Sequence, residues 1–389
     1  MRATFTIKNN FQKRHIKYSD ILTREILDEL CQTLTGQNRY RVVFDDTDYN
    51  RGRLVKLEFA DRMYYISVSE SEIGSRNSFF QSFTTALVQY HLEENPNKEL
   101  YFYFLPPNRN IETNYFVFMY RLMKTAGTVF INEREYLSQV YPPFNTAFDI
   151  INTRDLNRRR NKGNASTYVS VDENNILQIF GKTFGANKYE TILLALAIRN
   201  ISLGVIELFE IQEGNLSILP EPGRGIIVRS GINVITSDLV LERREFENND
   251  SLRSPTYQYN LLEKLGEKKC ALCNCEIPHI IQGAHIWPVA DIKRNNAINQ
   301  DDKLLHALNK DNGIWLCNNH HKLFDIHFLV INDDGMVKYK SDMLPIYQEY
   351  INDVTLNNRI DNQFINDGFR GYLSRRNNQI NLNEYSFIM

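Results

Sequence analysis

Cysteine is scarce in this chain, and almost all of it stands in one place. Five cysteines in 389 residues fall at positions 31, 270, 273, 275 and 317. That clustering excludes a disulfide framework and points to a metal site in a reducing compartment. Long apolar runs are missing too: nothing approaches the roughly 18 residues a membrane span requires, and the opening MRATFTIKNNFQKRH holds no stretch of signal-peptide length. The expectation is a soluble, cytoplasmic protein with no membrane partner. Nor is there an excess of one charge, since 45 Lys and Arg meet 47 Asp and Glu for a net charge of -2. Any nucleic-acid contact must therefore come from local patches. Internal repeats and low-complexity tracts are absent.

The length suffices for two or three domains and a sizeable core. Residues 19–35 carry apolar positions at helical spacing, with Ser19 or Asp20 as N-cap. RYRVVF, RLVKLEFA and MYYISVS, parted by turn-formers, read as a small sheet. Residues 75–94 and 111–124 read as helices, with LYFYFL between them and TVFI after them as strands. A second unit begins near 145, with TYVSV and ILQIFG, the helical KYETILLALAIRN, and the strand candidates GVIELFEI and GIIVRS. EFENNDSLRSPT at 245–256 reads as a linker. The expected fold class is α+β and multidomain: an N-terminal α/β domain at 1–144, a central α+β domain at 145–250, a cysteine- and histidine-rich module at 251–345 and a C-terminal extension at 346–389.

The chemistry concentrates in CALCNCEIPHIIQGAHIWPVAD, from 270, and DNGIWLCNNHHKLFDIHFL, from 311. Cys270 and Cys273 form a C-x2-C pair, and Cys317 with His320 a C-x2-H pair, enough to close a tetrahedral structural Zn2+ site. Cys275 competes for one position. His285 stands at the end of a strand, IIQGAHI, where Pro288 forces the chain out of pairing; an imidazole exposed at such a corner is expected to titrate near neutral pH and act as a general base. His321 and Asp325, four residues apart on a helix, share a face and can hold one divalent cation, Mg2+ or Mn2+. Water activated by His285 would attack phosphorus in line while that cation stabilises the developing charge and the leaving oxygen.

AHIWP, then NG-x-WLC, then HHKLFD resemble the three segments of the HNH (ββα-metal) nuclease superfamily, in the form common among HNH-type restriction endonucleases. The resemblance covers about 90 residues and implies a C-terminal ββα-metal module. It implies that His285 is the general base, Asn312 the residue that steadies the loop holding it, and His321 the metal-binding third residue, with Asp325 as a second helix ligand. Many relatives carry an acidic residue or histidine directly before the base, where this chain has Ala284; water, Asp291 or Asp311 could fill that gap. His327 reads as structural or near the phosphate.

RDLNRRRNKGN reads as a mobile basic loop in which Arg154, Arg158, Arg159, Arg160 and Lys162 could grip phosphates, the last four being the DNA-binding candidates. RGYLSRRNNQ, with Arg370, Arg375 and Arg376, is a weaker candidate, and FGKTFGANKYET reads as a turn before a helix N-terminus. About 250 residues precede the module, more than catalysis needs, so they are expected to select where double-stranded DNA is cut. The resulting expectation is a type II restriction endonuclease, working as a homodimer on palindromic sites. A modification-dependent or signal-gated anti-phage nuclease is the second reading, and a non-catalytic DNA-binding protein the third.

Overall fold

A computed structural model describes residues 1–8, 22–45, 54–68, 87, 90–103, 114–132, 139–161, 167–183, 187–212, 218–248 and 254–388. Helices and sheets are mixed throughout, and among the described residues no helix is long and apolar enough to cross a membrane. The chain divides into two compact units, Met1–Asn161 with Gly181–Leu203 and Ser217–Val234, and Lys162–Phe180 with Gly204–Leu216 and Ile235–Met389.

In the first unit, β1 (Ala3–Lys8), α1 (Arg24–Thr35), β2 (Tyr40–Asp45), β3 (Leu54–Phe59), β4 (Arg62–Val68), β5 (Lys98–Tyr103), α2 (Asn114–Thr125) and β6 (Val129–Phe130) build a six-stranded sheet in the order β2-β1-β3-β4-β5-β6. Alternation in β1 turns Ala3, Phe5 and Ile7 into the core, where Leu27, Leu30 and Cys31 of α1 meet them. The lone Cys31 is thus a buried core residue. The helices α3 (Ala147–Asn161), α4 (Asn187–Ile201) and α5 (Glu221–Arg229) complete the unit. Residues 192–198 of α4 are buried without a break, a helix enclosed on its sides rather than an amphipathic surface helix.

Three expectations change here. GIIVR lies within α5, with the serine as its C-cap, not in a strand: its β-branched run imitates strand composition, but Ile226 and Ile227 are buried on the same helix face as Gly223, three and four residues back. The basic run read as a loop is helical from Arg154 to Asn161, as the high helix propensity of arginine permits, and Arg154 is buried in an ion pair with Glu190 of α4. Arg158, Arg159 and Arg160 lie on the last turns of α3, while Lys162 falls outside the described residues, as do Ser19, Asp20 and most of 75–94.

A four-stranded sheet follows in the order β10-β9-β8-β7, from β7 (Thr167–Val171), β8 (Leu177–Lys182), β9 (Ile206–Ile211) and β10 (Asn233–Ser237). Then come α6 (Leu239–Asn248) and α7 (Pro255–Leu265), so the stretch read as a linker is helical at both ends. Its proline is the first helical residue of α7, where its missing N–H costs nothing, and the Ser254 hydroxyl caps the helix by accepting from Tyr257 N at 3.0 Å. Helix α7 packs Tyr259 against Tyr168 of β7, ring centroids 5.2 Å apart.

The antiparallel pair β11 (Ile281–His285) and β12 (Gly313–Cys317) follows, joined through α8 (Val289–Arg294) and α9 (Gln300–Leu308), and α10 (Asn318–Asp325) leaves β12 directly. This is a ββα arrangement. A small sheet of β13 (Leu329–Ile331), β14 (Val337–Lys340) and β15 (Tyr385–Phe387) and the helices α11 (Pro345–Val354) and α12 (Asp367–Asn377) finish the unit, so residues 346–388 pack into the same core as β11 and β12.

Candidate active site

Two knuckles of chain close on each other at one end of β12. The ligand atoms of Cys270, Cys273, Cys317 and His320 all lie within 4.8 Å of one another. Tetrahedral zinc, with Zn–S bonds of about 2.3 Å and Zn–N of about 2.0 Å, sets its sulfurs about 3.8 Å apart and sulfur from nitrogen about 3.5 Å. Here Cys273 Sγ and Cys317 Sγ are 3.9 Å apart, and His320 Nδ1 is 3.2 Å from Cys317 Sγ and 3.5 Å from Cys270 Sγ. The cluster fits zinc. His320 Nε2 lies 3.3 Å from Thr355 Oγ1, a hydroxyl able to accept its proton in the tautomer that turns the Nδ1 lone pair toward the sulfurs. Burial pushes the Cys273 thiol up to about 12, and Cys270 and Cys317 push it the same way, so thiolates persist here only beside a compensating cation. Cys275 stays outside the cluster and uses its carbonyl to accept from Cys270 N at 2.9 Å.

At the opposite end of β11, His285 faces Gly313 across the strand pair. Its Nε2 lies 3.0 Å from the Ala307 carbonyl. A carbonyl can only accept, so Nε2 carries the proton and Nδ1 presents the free lone pair. Burial lowers the imidazole to about 4, with the nearby His321 ring adding to the effect, so the ring is neutral at physiological pH.

Asn312 is fully buried and makes three side-chain hydrogen bonds. Its Oδ1 accepts from Trp287 N at 2.7 Å, and its Nδ2 donates to Trp287 O and His306 O, both at 3.1 Å. One amide thereby pins the chain just past His285 to the end of α9 that also receives the His285 proton. Asn312→Ala would leave the buried Trp287 N and O without partners, at about 1–3 kcal/mol each when unsatisfied, while His306 O keeps Asn309 N. We expect a loss of about 2–4 kcal/mol by urea unfolding, and a larger one for Asn312→Asp, which turns an acceptor on two carbonyls.

His321 and Asp325 lie one turn apart on α10, Nε2 to Oδ2 at 3.5 Å, with the carboxylate exposed. Gln282 Oε1 accepts from His321 Nδ1 at 3.2 Å, which directs Nε2 toward Asp325. Gln282 shares a strand face with Ala284, so the residue before His285 lies on the face turned toward α10 but offers only a buried methyl there. Of the two acids that could replace it, Asp311 is engaged elsewhere. It pairs with Lys264 at 2.8 Å and accepts from Asn366 at 2.9 Å; burial raises its pKa, but these two contacts outweigh that and hold it below the usual carboxylate range. Asp291 is near the site, close enough to act on the charges of Arg376 and His327. His327 adopts a left-handed backbone, φ 58°, immediately after α10.

Sequence reasoning missed Tyr257, a buried residue of α7. Its ring stacks on His285 with centroids 4.0 Å apart and planes 11° apart, and its hydroxyl donates to Asn312 O at 3.1 Å. Glycines in the strand pair make room for it: a Cβ at Gly313 would collide with the Tyr257 hydroxyl, and one at Gly283 would lie 2.5 Å from Leu261 Cδ1. We expect Gly313→Ala to displace the ring under His285 and slow single-turnover cleavage about 10- to 100-fold, in line with the cost of small misplacements at a reacting centre. Tyr257→Phe keeps the stack and should stay within a few-fold of wild type.

Residues 270–332 match the HNH endonuclease family model. The matched segment runs from the first zinc-type cysteine through β11, β12 and α10 to just past β13, and leaves α7 and α12 outside. No curated protein matches the chain.

Proposed function

We propose that the protein is a type II restriction endonuclease that hydrolyses phosphodiester bonds at a specific sequence in double-stranded DNA. The observation that carries the catalytic part is the His285 geometry: a neutral imidazole, anchored through Nε2 so that Nδ1 keeps its lone pair, with His321 of the His321–Asp325 pair close enough to act on its charge. Nδ1 accepts the proton of the attacking water. His321 Nε2 and the Asp325 carboxylate, one nitrogen and one oxygen donor on an exposed helix face, suit Mg2+ or Mn2+. Held there, such an ion would supply charge neutralisation to the phosphate and the departing oxygen. Asn312 and Tyr257 keep the His285 ring from turning, and the Cys270, Cys273, Cys317 and His320 cluster fixes the start of α10 through a structural Zn2+.

Under this reading the residues before the module, 1–144 and 145–250, choose the site, with Arg158, Arg159, Arg160 and Lys162 on phosphates. A homodimer places two such modules on the two strands of a palindrome. The test is digestion of unmethylated and methylated plasmid DNA in Mg2+ or Mn2+, followed by sequencing of the fragment ends. Discrete bands from unmethylated DNA with one common end sequence are expected. Cleavage of methylated DNA alone would replace this reading with a modification-dependent nuclease, and random ends would remove the site-specific part.

A further inference from the structure

The sequence RGYLSRRNNQ looks like a solvated basic tail, yet its arginines have different fates. Arg375 is exposed, while Arg376, on α12, is 2% exposed. The Arg376 guanidinium lies over the Phe324 ring, 3.8 Å from its centroid. Its Nη1 donates to Ile286 O at 3.1 Å and its Nη2 to Phe324 O. Ile286 is the residue after His285, and Phe324 the residue before Asp325. One planar fork thus spans from the base-bearing strand to the ion-binding helix.

We propose that Arg376 is a positioning residue that sets the separation between the general base on β11 and the ligand pair on α10. This rests on the nuclease reading of the same site. Helix α12 is itself fixed by contacts that do not involve the guanidinium: Asn366 caps its start, accepting from Phe369 N at 2.8 Å and donating to Asp311 at 2.9 Å, and Asn377 donates to Ile331 O at 2.9 Å. The fork therefore reaches the two halves of the site from an anchored platform. Stability alone does not account for a charge in this place, since buried ionic groups replaced by apolar side chains of similar size often cost nothing. Two carbonyls from different elements, held at once by one fork, suit the rigid planar guanidinium; a lysine ammonium on its flexible stem does not supply that geometry. Burial lowers the Arg376 pKa to about 10, with Asp325 and Asp291 opposing it, so the group is a cation throughout the working pH range.

The experiment compares wild type, Arg376→Lys, Arg376→Met and Asn377→Ala as full chains. Four quantities are read: single-turnover cleavage rate at saturating Mn2+, DNA affinity, Mn2+ affinity by electron paramagnetic resonance, and melting temperature. We expect Arg376→Lys to be about 10-fold slower and Arg376→Met about 100-fold slower, following the cost of a misplaced catalytic group, with DNA affinity within about two-fold of wild type. Asn377→Ala, which loosens the same helix without touching either half of the site, should lose melting temperature and keep its rate. If Arg376→Met does not fold, the Arg376→Lys rate at unchanged DNA affinity decides. Wild-type rates in both Arg376 variants, or rates that simply track melting temperature across all variants, overturn the positioning role while leaving the nuclease reading intact. Failure of the wild type itself to cleave overturns the nuclease reading, and this role with it.

Discussion

Removing one sulfur from the Cys270, Cys273, Cys317 and His320 cluster is expected to cost the chain its zinc and much of the stability of its second unit. Structural zinc contributes about 10 kcal/mol or more to the folding of small domains. Loss of a single ligand need forfeit only about 4 kcal/mol of this to lower the melting midpoint by about 8–16 °C in a unit of this size. The expected result is one zinc per chain in the wild type by elemental analysis, and a substoichiometric, low-melting protein for Cys273→Ser or Cys317→Ser. Cys275→Ser is the control, because Cys275 serves through its backbone carbonyl and not through its sulfur. It should keep both the metal and the midpoint. Loss of zinc from Cys275→Ser with retention in Cys273→Ser would mean that the ligand set is wrong.

The second large effect concerns His285. Removing a general base costs about 10^2- to 10^4-fold in rate, and His285→Ala should fall in that range while DNA affinity is unchanged. Its pH dependence carries a separate signature. Only the neutral ring can take a proton from water, and the neutral form dominates above the pKa. With an ordinary value near 6.5 the rate would decline below about pH 6.5. With burial lowering the ring to about 4, protonation of His285 should not limit the rate until the pH falls below about 5. Single-turnover rates at saturating Mn2+ between pH 5 and 8 test this. A tenfold drop per unit beginning at pH 6.5, with metal binding shown to be saturated, would mean that His285 is more solvated than the structure has it.

What the sequence disclosed and what it hid divide along sequence distance. The zinc knuckles were legible because C-x2-C and C-x2-H are local spacings, and one helical turn suffices to place His321 beside Asp325. Choosing Cys273 over Cys275 needed the fold, since x2 and x4 spacings from Cys270 both reach a metal. Tyr257 and Arg376 could not be found this way. Tyr257 meets Asn312 across 55 positions, and Arg376 meets Ile286 across 90. Their only local signal misleads: Tyr257 follows a stretch that reads as a linker, and Arg376 stands in the polar run RRNNQ.

The upstream strands were readable from alternation and from β-branched and aromatic residues, as with TYVSV, which is β7. GIIVRS failed by the same criterion. Intrinsic β preference is weak beside packing, and in α5 Ile226 and Ile227 find a buried helical environment. The basic run at 154–161 shows the converse limit. Charge composition says nothing about which arginine is buried, and Arg154 is held by Glu190 while its neighbours in sequence continue the helix.

The measurement closest to the centre of this account is cleavage of plasmid DNA by the purified chain stripped of loosely bound metal. Wild type and His285→Ala are compared side by side with Mg2+, with Mn2+ and with neither. Expected are no cleavage without an added ion, conversion to linear or smaller DNA by the wild type with Mn2+ or Mg2+, and little or none by His285→Ala under the same conditions. Equal cleavage by the two proteins, or none by the wild type with any divalent ion, would contradict that expectation.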